Sequence, residues 1–254
     1  MDEVRLIEVK QDIHADNERT AKELRERLAD QKVFLLNLMS SPGAGKTSTI
    51  LKTIEELRGS LAVGVIEADI DSMVDAERVA AEGVSAIQLR TGGFCHLDAA
   101  MVAKGLDGLD LDALDVVIIE NVGNLVCPAE FDTGAIRNAM ILSVPEGDDK
   151  PIKYPGTFAG AEVVLINKID LVDYIEFDLE RVLADIRVVN PNAEIFQVSA
   201  TTAAVGQVPV CSKLYKLYPR YALYDFAGLI IDFRVPAQVT RIVVGHPLFQ
   251  PFKF

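Results

Sequence analysis

The sequence predicts an α/β fold in which a mostly parallel sheet is flanked by helices on both faces. Short runs rich in Val, Ile and Leu alternate with segments of helical periodicity along most of the 254 residues. Strands buried on both faces form continuous apolar runs, and helices between them allow parallel pairing. Ligands of such sheets bind beyond the carboxyl ends of the strands, and the polar motifs described below follow predicted strands.

The predicted elements follow one another in a regular order. Residues 16–30 are rich in helix formers with few apolar positions, which predicts an exposed helix. The strand VFLLNLM comes next, and a turn punctuated by Gly and Pro leads into a helix over 49–57. Further strands are predicted at LAVGVIEAD, VSAIQL, LDVVIIE, AMILSV, EVVLINK and EIFQVSA, with helices at VDAERVAAEG, HLDAAMVAKGL and FDLERVLADIRVVN.

The composition is that of a globular protein and excludes several classes. Half of the residues are apolar and no apolar run exceeds the length of a strand, so no membrane span is expected. The charged N-terminus lacks the apolar stretch of a secretion signal. A net charge of −13 argues against a nucleic-acid footprint. We therefore expect a cytoplasmic protein that binds neither nucleic acid nor membrane, with three reduced cysteines.

A glycine-rich turn, SSPGAGKT at 40–47, links the first strand to a helix. Its glycines permit backbone conformations that point successive N–H groups inward, and the helix N-terminus adds a positive field for phosphate. Lys46 would reach the outer phosphates, and the Thr47 hydroxyl would bind Mg²⁺. Ser40 stands where the usual pattern begins with glycine. The predicted phosphate-binding residues are Ser41, Gly43, Ala44, Gly45, Lys46, Thr47 and Ser48.

The tetrad Asn167-Lys168-Ile169-Asp170 follows a strand and indicates guanine as the base. Asp170 would accept hydrogen bonds from the ring N–H and the exocyclic amine of guanine, a pair that adenine does not present. The following strand ends near Ser199 and Ala200, which would offer a backbone N–H to the guanine oxygen. The predicted ligand is GTP with Mg²⁺. We expect slow hydrolysis because no catalytic glutamine is evident.

Two acidic residues at predicted strand ends, Asp69 and Glu120, lie between these motifs. Many GTPases hold Mg²⁺ with an Asp-x-x-Gly motif at this point. Glu120 and Gly123 have the same spacing, and the glutamate side chain is one methylene longer than aspartate. We predict Lys46, Asp69 and Glu120 as catalytic residues, with Thr47, Asp69 and Glu120 around Mg²⁺. Each acid could instead be a helix N-cap or a solvated carboxylate at a strand end.

Cys95 and His96 lie between a predicted strand and helix, and Cys127 lies just past Glu120. Thiolate and imidazole ligands favour Ni²⁺, Zn²⁺ or Cu over hard cations. One chain supplies three candidates, and a twofold dimer would permit four ligands. A free thiol beside an incidental histidine is the alternative. The helix expected from Leu97 should lower the pKa of a nearby thiol.

Several long motifs of the sequence are distinctive, namely SSPGAGKTS, VIEADIDSMVDAER, TGGFCHLDA, ENVGNLVCPAEFD, SVPEGDDKPIKYP and LINKIDL. Together they resemble the HypB family, the nickel-incorporation GTPases of hydrogenase maturation, over roughly residues 1–202. The resemblance implies a P-loop fold of the SIMIBI class, GTP-dependent homodimerisation, and nickel delivery to the large subunit of [NiFe]-hydrogenase with a HypA-type partner.

The resemblance to the HypB family also implies roles for individual residues of this sequence. It implies that Asp75 of DAER also belongs to the Mg²⁺ shell, and that Lys150 and Lys153 lie in a nucleotide-responsive segment without an assigned role. Some family members carry an N-terminal cysteine cluster or histidine-rich tract, which this sequence lacks, and His14 is expected to stand alone. The implied ligands of an interfacial Ni²⁺ or Zn²⁺ site are Cys95, His96 and Cys127.

The resemblance stops near Thr202, and the composition changes there. Residues 203–254 hold two acidic residues against six basic ones, and nine of the 17 aromatic residues. Either the segment is an out-of-frame translation of the end of the gene, or it is a β-rich appendage. The predicted organisation is an N-terminal extension with a helix over 1–30, a GTPase domain over 31–202 and an atypical tail over 203–254.

Three other functions fit parts of the sequence. A urease-accessory GTPase of the UreG type is the nearest, but it typically has Cys-Pro-His, whereas Cys95 and His96 are adjacent here. A nickel- or zinc-binding module with a vestigial nucleotide site would not need an intact Lys46 and Asp170. A small-molecule kinase would not explain the tetrad at 167–170.

Overall fold

The computed structural model describes residues 9–69 and 73–200, which form one parallel sheet with helices packed on both faces. The strands are β1 Phe34–Ser40, β2 Val63–Asp69, β3 Ser85–Arg90, β4 Val116–Glu120, β5 Arg137–Ser143, β6 Val163–Asn167 and β7 Glu194–Gln197. Within the described residues the sheet has seven strands in the order β3-β2-β4-β1-β5-β6-β7. All neighbouring strands pair in parallel, which confirms the predicted α/β fold class.

Helices occupy the predicted segments, and two further short helices over Lys150–Lys153 and Pro155–Ala159 were not predicted. Among the described helices, none is long and apolar enough to cross a lipid bilayer. Short 3₁₀ turns occupy Leu111–Ala113, Cys127–Ala129, Val144–Glu146 and Ile169–Leu171. The α-helices are α1 Val9–Asp30, α2 Lys46–Leu57, α3 Val74–Ala80, α4 Ala99–Leu106, α5 Lys150–Lys153, α6 Pro155–Ala159 and α7 Leu179–Val189.

The core lies on both faces of the sheet, which explains why the strands lack polar alternation. Every residue of β1 is buried, although consecutive side chains point to opposite faces. On one face Leu36 and Leu38 belong to a cluster with Ile50 and Ile54 of α2. On the other face, buried side chains of α1 and α4 pack with Leu35 in a second cluster. The third cluster covers β5 and β6 with α6 and α7.

The first helix differs from the exposed helix that the sequence predicts. Ala21, Leu24 and Leu28 are buried, because their spacing places all three on one side of α1, facing the sheet. The Arg25 guanidinium donates to both carboxylate oxygens of Asp132, at 2.5 and 2.7 Å. A narrow apolar stripe and a bidentate ion pair therefore attach α1 to the body of the protein.

The predicted boundaries of the three regions are only partly covered by the described residues. The helix of the N-terminal extension ends at Asp30, at the predicted boundary, and the sheet begins directly after it. The predicted atypical tail over 203–254 lies outside the described residues. The carboxyl ends of β1, β2, β4 and β6 carry the polar motifs to one edge of the sheet, where the candidate sites lie.

Candidate nucleotide and metal sites

The phosphate loop lies between β1 and α2, as predicted. Gly43 and Gly45 have φ angles of +75° and +100°, a conformation that favours glycine. Lys46 is buried, and its ammonium donates to the Ser40 hydroxyl at 3.1 Å. The serine that departs from the usual pattern therefore holds the lysine of the motif in place.

The first two residues of the predicted guanine tetrad hold the phosphate loop in place. The Asn167 side chain donates to the carbonyl of Ala44 at 2.9 Å, and the Lys168 ammonium donates to the carbonyl of Gly43 at 2.7 Å. A Cβ atom on Gly45 would lie 2.5 Å from Asn167 Nδ2, so this approach requires glycine. The tetrad thus positions the loop directly, a role that the sequence did not reveal.

Asp170 presents a buried acceptor without a protein partner. Its Oδ1 atom is inaccessible to solvent and has no hydrogen bond among the described residues. The Ile169 N–H donates to the carbonyl of Val198 at 3.2 Å, which brings the neighbouring Ser199 and Ala200 close to the tetrad. Since a buried polar atom without a partner is costly, the arrangement suits a ligand that donates hydrogen bonds.

An acidic group lies beneath the phosphate loop, and its membership differs from the predicted one. Carboxylate oxygens of Glu67, Asp75 and Glu120 lie within 4.8 Å of one another. Among the described residues Asp69 lies outside this group, which contains Glu67 instead. Glu67 and Glu120 are direct neighbours in the pairing of β2 with β4, so their side chains meet.

Burial favours the protonated forms of Glu67 and Glu120. Burial, followed by the charge of Glu120, raises the pKa of Glu67 to about 10. Burial also raises the pKa of Glu120, which accepts a hydrogen bond from the Thr47 hydroxyl at 2.9 Å. The Oε2 atoms of both glutamates are buried without hydrogen-bond partners among the described residues. Unpartnered carboxylate oxygens beside a threonine hydroxyl fit the oxygen ligands that Mg²⁺ prefers.

The predicted sulfur and imidazole ligands come together in a second cluster. Ligand atoms of Cys95, His96 and Cys127 lie within 4.8 Å of one another, and Cys95 Sγ lies 4.0 Å from His96 Nδ1. All three residues are half-buried, so a metal ion can reach them from solvent. Two thiols with one imidazole match the donor set of Zn²⁺ and Ni²⁺ sites.

The expected lowering of the thiol pKa by the α4 N-terminus is wrong for Cys95. Its pKa is raised, first by a hydrogen bond with the Cys127 thiol and then by burial. The Asp98 side chain already accepts the N–H of Met101 at 2.7 Å and so caps the helix. Burial lowers the pKa of His96, which favours the neutral imidazole that binds metals.

His14 does not stand alone as the sequence predicts. Its ring stacks on Phe131, with centroids 5.0 Å apart, and Phe131 also stacks on His96 at 3.8 Å. The Asn17 amide links the same loop to α1, since it donates to the carbonyl of Asp132 at 2.9 Å. The orientation of the candidate ligand His96 therefore depends on its contact with Phe131, which no local sequence motif predicts.

Asn124 connects the start of the phosphate loop with the two loops that carry the cysteines. Its backbone N–H donates to the carbonyl of Ser40 at 2.9 Å, and its side-chain amide donates to the carbonyl of Cys95 at 3.4 Å. The side-chain oxygen Oδ1 of Asn124 accepts a hydrogen bond from the N–H of Val126 at 2.8 Å, directly before Cys127. The start of the phosphate loop and both cysteine-bearing loops therefore share one residue.

Together the fold and the phosphate loop define a P-loop nucleotide-binding protein that carries a second cluster of metal-ligating side chains. A family model described as CobW/HypB/UreG, nucleotide-binding domain, matches residues 34–197. The hydrogenase maturation factor HypB of Escherichia coli strain K12 is 48% identical over 202 residues, which are 80% of this chain and 70% of that protein. The chain therefore belongs to the HypB family.

Two solved structures agree with this assignment. HypB from Helicobacter pylori in complex with nickel superposes with a TM-score of 0.72 at 39% identity, covering 80% of this chain and 93% of that one. HypB from Archaeoglobus fulgidus superposes with a TM-score of 0.73 at 35% identity, covering 80% of this chain and 98% of that one.

Proposed function

We propose that this chain binds and hydrolyses GTP and uses that cycle to hold and release nickel during hydrogenase maturation. The observation that carries the proposal is the cluster of Cys95, His96 and Cys127, which Asn124 links to the phosphate loop. A metal site that shares a residue with a nucleotide site can respond to the state of the nucleotide. Zn²⁺ is the alternative ion for the same ligands.

The nucleotide half of the proposal uses the phosphate loop, the tetrad over 167–170 and the acidic group. Asp170 reads guanine, with Ser199 and Ala200 beside it, and Lys46 binds the outer phosphates. Mg²⁺ would be held by Thr47 and the acidic group, in which Glu67 takes the place predicted for Asp69. When bound, the ion neutralises charge on the phosphate oxygens, and Lys46 and Glu120 act beside it as the proposed catalytic residues.

The metal half of the proposal includes a dimer. Three ligands leave one position of a tetrahedral site to water or to a second copy of the chain. Phe94 and Val126, which precede the two cysteines, are 56% and 51% exposed. Apolar side chains exposed beside the ligands suit an interface that forms when GTP binds. By analogy with its family, the chain would work with a HypA-type partner on the large subunit of [NiFe]-hydrogenase.

Nickel binding in two nucleotide states tests the proposal. We expect wild type to bind nickel with affinities that differ by about 5- to 150-fold between GDP and a non-hydrolysable GTP analogue, the usual range for coupled sites. Cys95→Ala should lose this site in both states, because removal of one of three ligands leaves too few donors. Isothermal titration with nickel, alongside the molecular mass in solution, measures both expectations.

Two histidines provide a matched control for this experiment. His96→Ala should lose the nickel site, whereas His14→Ala should keep it, since both rings stack on Phe131 but only His96 belongs to the ligand cluster. Equal nickel stoichiometry in wild type, Cys95→Ala and His96→Ala would remove the metal half of the proposal. A separate titration with GTP would then test the GTPase half of the proposal.

Gly123→Ala should weaken binding of the GTP analogue about tenfold while GDP binding changes little. A Cβ atom there would lie 3.0 Å from backbone atoms of Pro42, so the phosphate loop would have to move on the side that meets the γ-phosphate. Equilibrium binding of both nucleotides measures the effect. Gly156→Ala is the control, because the nearest atom to its Cβ among the described residues outside its own helix would be Ala129 Cβ, at 4.0 Å. Equal weakening of GDP and the analogue would contradict the expected discrimination.

A further inference from the structure

A cavity of about 370 Å³ lies beside the phosphate loop and is distinct from the acidic group. One wall is the start of that loop, at Ser41 and Pro42, and a second is the loop after β4, at Gly123. The third wall is the segment over 146–154, which contributes Glu146, Lys150 and Tyr154. Gly123 takes the position of the glycine in Asp-x-x-Gly, whose N–H contacts the γ-phosphate in many GTPases. The cavity therefore adjoins the place where we expect GTP to be cleaved.

Lys150 is the cationic side chain among the described residues that line this cavity. Its ammonium donates to Asp149 Oδ1 at 2.5 Å, and its side chain is 21% exposed. The Lys153 ammonium contacts the other oxygen of Asp149, but that side chain is 61% exposed and does not line the cavity. The two lysines therefore share one partner and differ in their access to the cavity.

The charges around the cavity favour a movement of Lys150 when a triphosphate arrives. Its neighbour Asp149 stays ionised at neutral pH, since the hydrogen bond from Lys150 and then that from Lys153 lower the pKa of Asp149 to about 2. One carboxylate holds two ammonium groups, so the pair of lysines keeps an unbalanced positive charge. A γ-phosphate close by would compete with Asp149 for the better-placed lysine.

Glu146 ties this segment to the phosphate loop. Its carboxylate accepts hydrogen bonds from the Ser41 hydroxyl and from the Ser143 N–H and hydroxyl. The next residue, Gly147, has a φ angle of +90° that other residues seldom adopt. A carboxylate that contacts the phosphate loop repels an incoming phosphate, whereas the ammonium of Lys150 attracts it.

We propose that Lys150 supplies a second positive charge, in addition to Lys46, to the γ-phosphate of GTP as it is hydrolysed. This inference rests on the proposed GTPase function. In the reaction the water oxygen bonds to the γ-phosphorus, the bond to the β–γ bridging oxygen breaks, and that oxygen keeps the electron pair. The water protons end on the phosphate products, and Lys150 remains an ammonium throughout. Its contribution is the stabilisation of charge that develops during bond cleavage.

Three variants test this assignment in single-turnover GTP hydrolysis. Lys150→Ala and Lys150→Met should hydrolyse GTP about 100-fold more slowly, the cost of removing one preorganised charge at a transition state. Lys150→Met keeps the apolar stem, which protects the packing of α5. Lys153→Ala is the matched control and should hydrolyse GTP at the rate of wild type within about twofold. The affinity for GDP should change by less than about twofold in all three.

The possible outcomes separate this inference from the proposed function. If wild type hydrolyses GTP and Lys150→Met does so at the same rate, the role of Lys150 is refuted and the GTPase stands. Equal slowing by Lys150→Met and Lys153→Ala would also refute it, because a general charge effect would then explain both. A loss of GDP affinity as large as the loss of rate would make Lys150 a binding residue. If wild type does not hydrolyse GTP, the proposed function itself fails.

Discussion

Replacement of Asp170 by asparagine will convert a guanine-selective protein into one that prefers xanthine nucleotides. Asp170 offers a buried oxygen with no partner among the described residues, which suits the N–H groups of guanine. Asparagine turns one acceptor into a donor, which faces the guanine amine unfavourably and the carbonyl of xanthine favourably. We expect the affinity for GDP to fall about 100-fold or more, as is typical when a site built for hydrogen bonds loses its match. Competition binding with GDP and XDP measures the switch.

Asp173→Asn provides the control for that experiment. It removes the same charge three residues further along, from a side chain that is exposed to solvent. Its affinity for GDP should equal that of wild type within about twofold. The assignment of Asp170 to base recognition fails if Asp170→Asn remains folded and keeps its affinity for GDP. It also fails if both variants lose the same affinity, because net charge alone would then account for the effect.

The elements and the phosphate loop could be predicted because their signals are local. A continuous apolar run such as β1, followed by Gly43 and Gly45, specifies a buried strand and a tight turn without reference to the rest of the chain. The tetrad at 167–170 and the two cysteine-bearing loops also follow strands, so their common edge follows from parallel topology. The positions of the motifs along the sequence were therefore enough to predict that they meet at one edge of the sheet.

The rest depends on strand register and on packing between distant segments. Glu67 is a charged residue inside an apolar strand, and only the pairing of β2 with β4 reveals that it faces Glu120. Asp69 is the more obvious candidate in the sequence because it ends the strand. The stack of His14 and His96 on Phe131 joins residues more than 80 positions apart. The pKa of Cys95 likewise depends on Cys127, which local helix arguments do not include.

The metal-free protein should lose stability as the pH rises, and Glu67→Gln should remove much of that loss. Burial raises the pKa of Glu67 from its ordinary value of 4.5 to about 10. Below pH 4.5 the Glu67 carboxyl is protonated in both the folded and the unfolded chain. Between pH 4.5 and 10 it ionises only in the unfolded chain. The free energy of unfolding therefore falls with pH, by up to about 1.4 kcal/mol per unit for one proton. Glutamine resembles the protonated form and has no such slope.

Denaturant unfolding from pH 5 to 9 with a chelator measures the difference between wild type and Glu67→Gln. Glu176→Gln, at an exposed position, should keep the slope of wild type. Bound Mg²⁺ should reverse this dependence of stability on pH, because the ion binds the Glu67 carboxylate and displaces its proton. The affinity of wild type for Mg²⁺ with GDP should therefore rise with pH, whereas that of Glu67→Gln should be weaker and less dependent on pH. Parallel stability curves for wild type and Glu67→Gln would show that Glu67 is already ionised, and the proposed proton exchange with Mg²⁺ would be wrong.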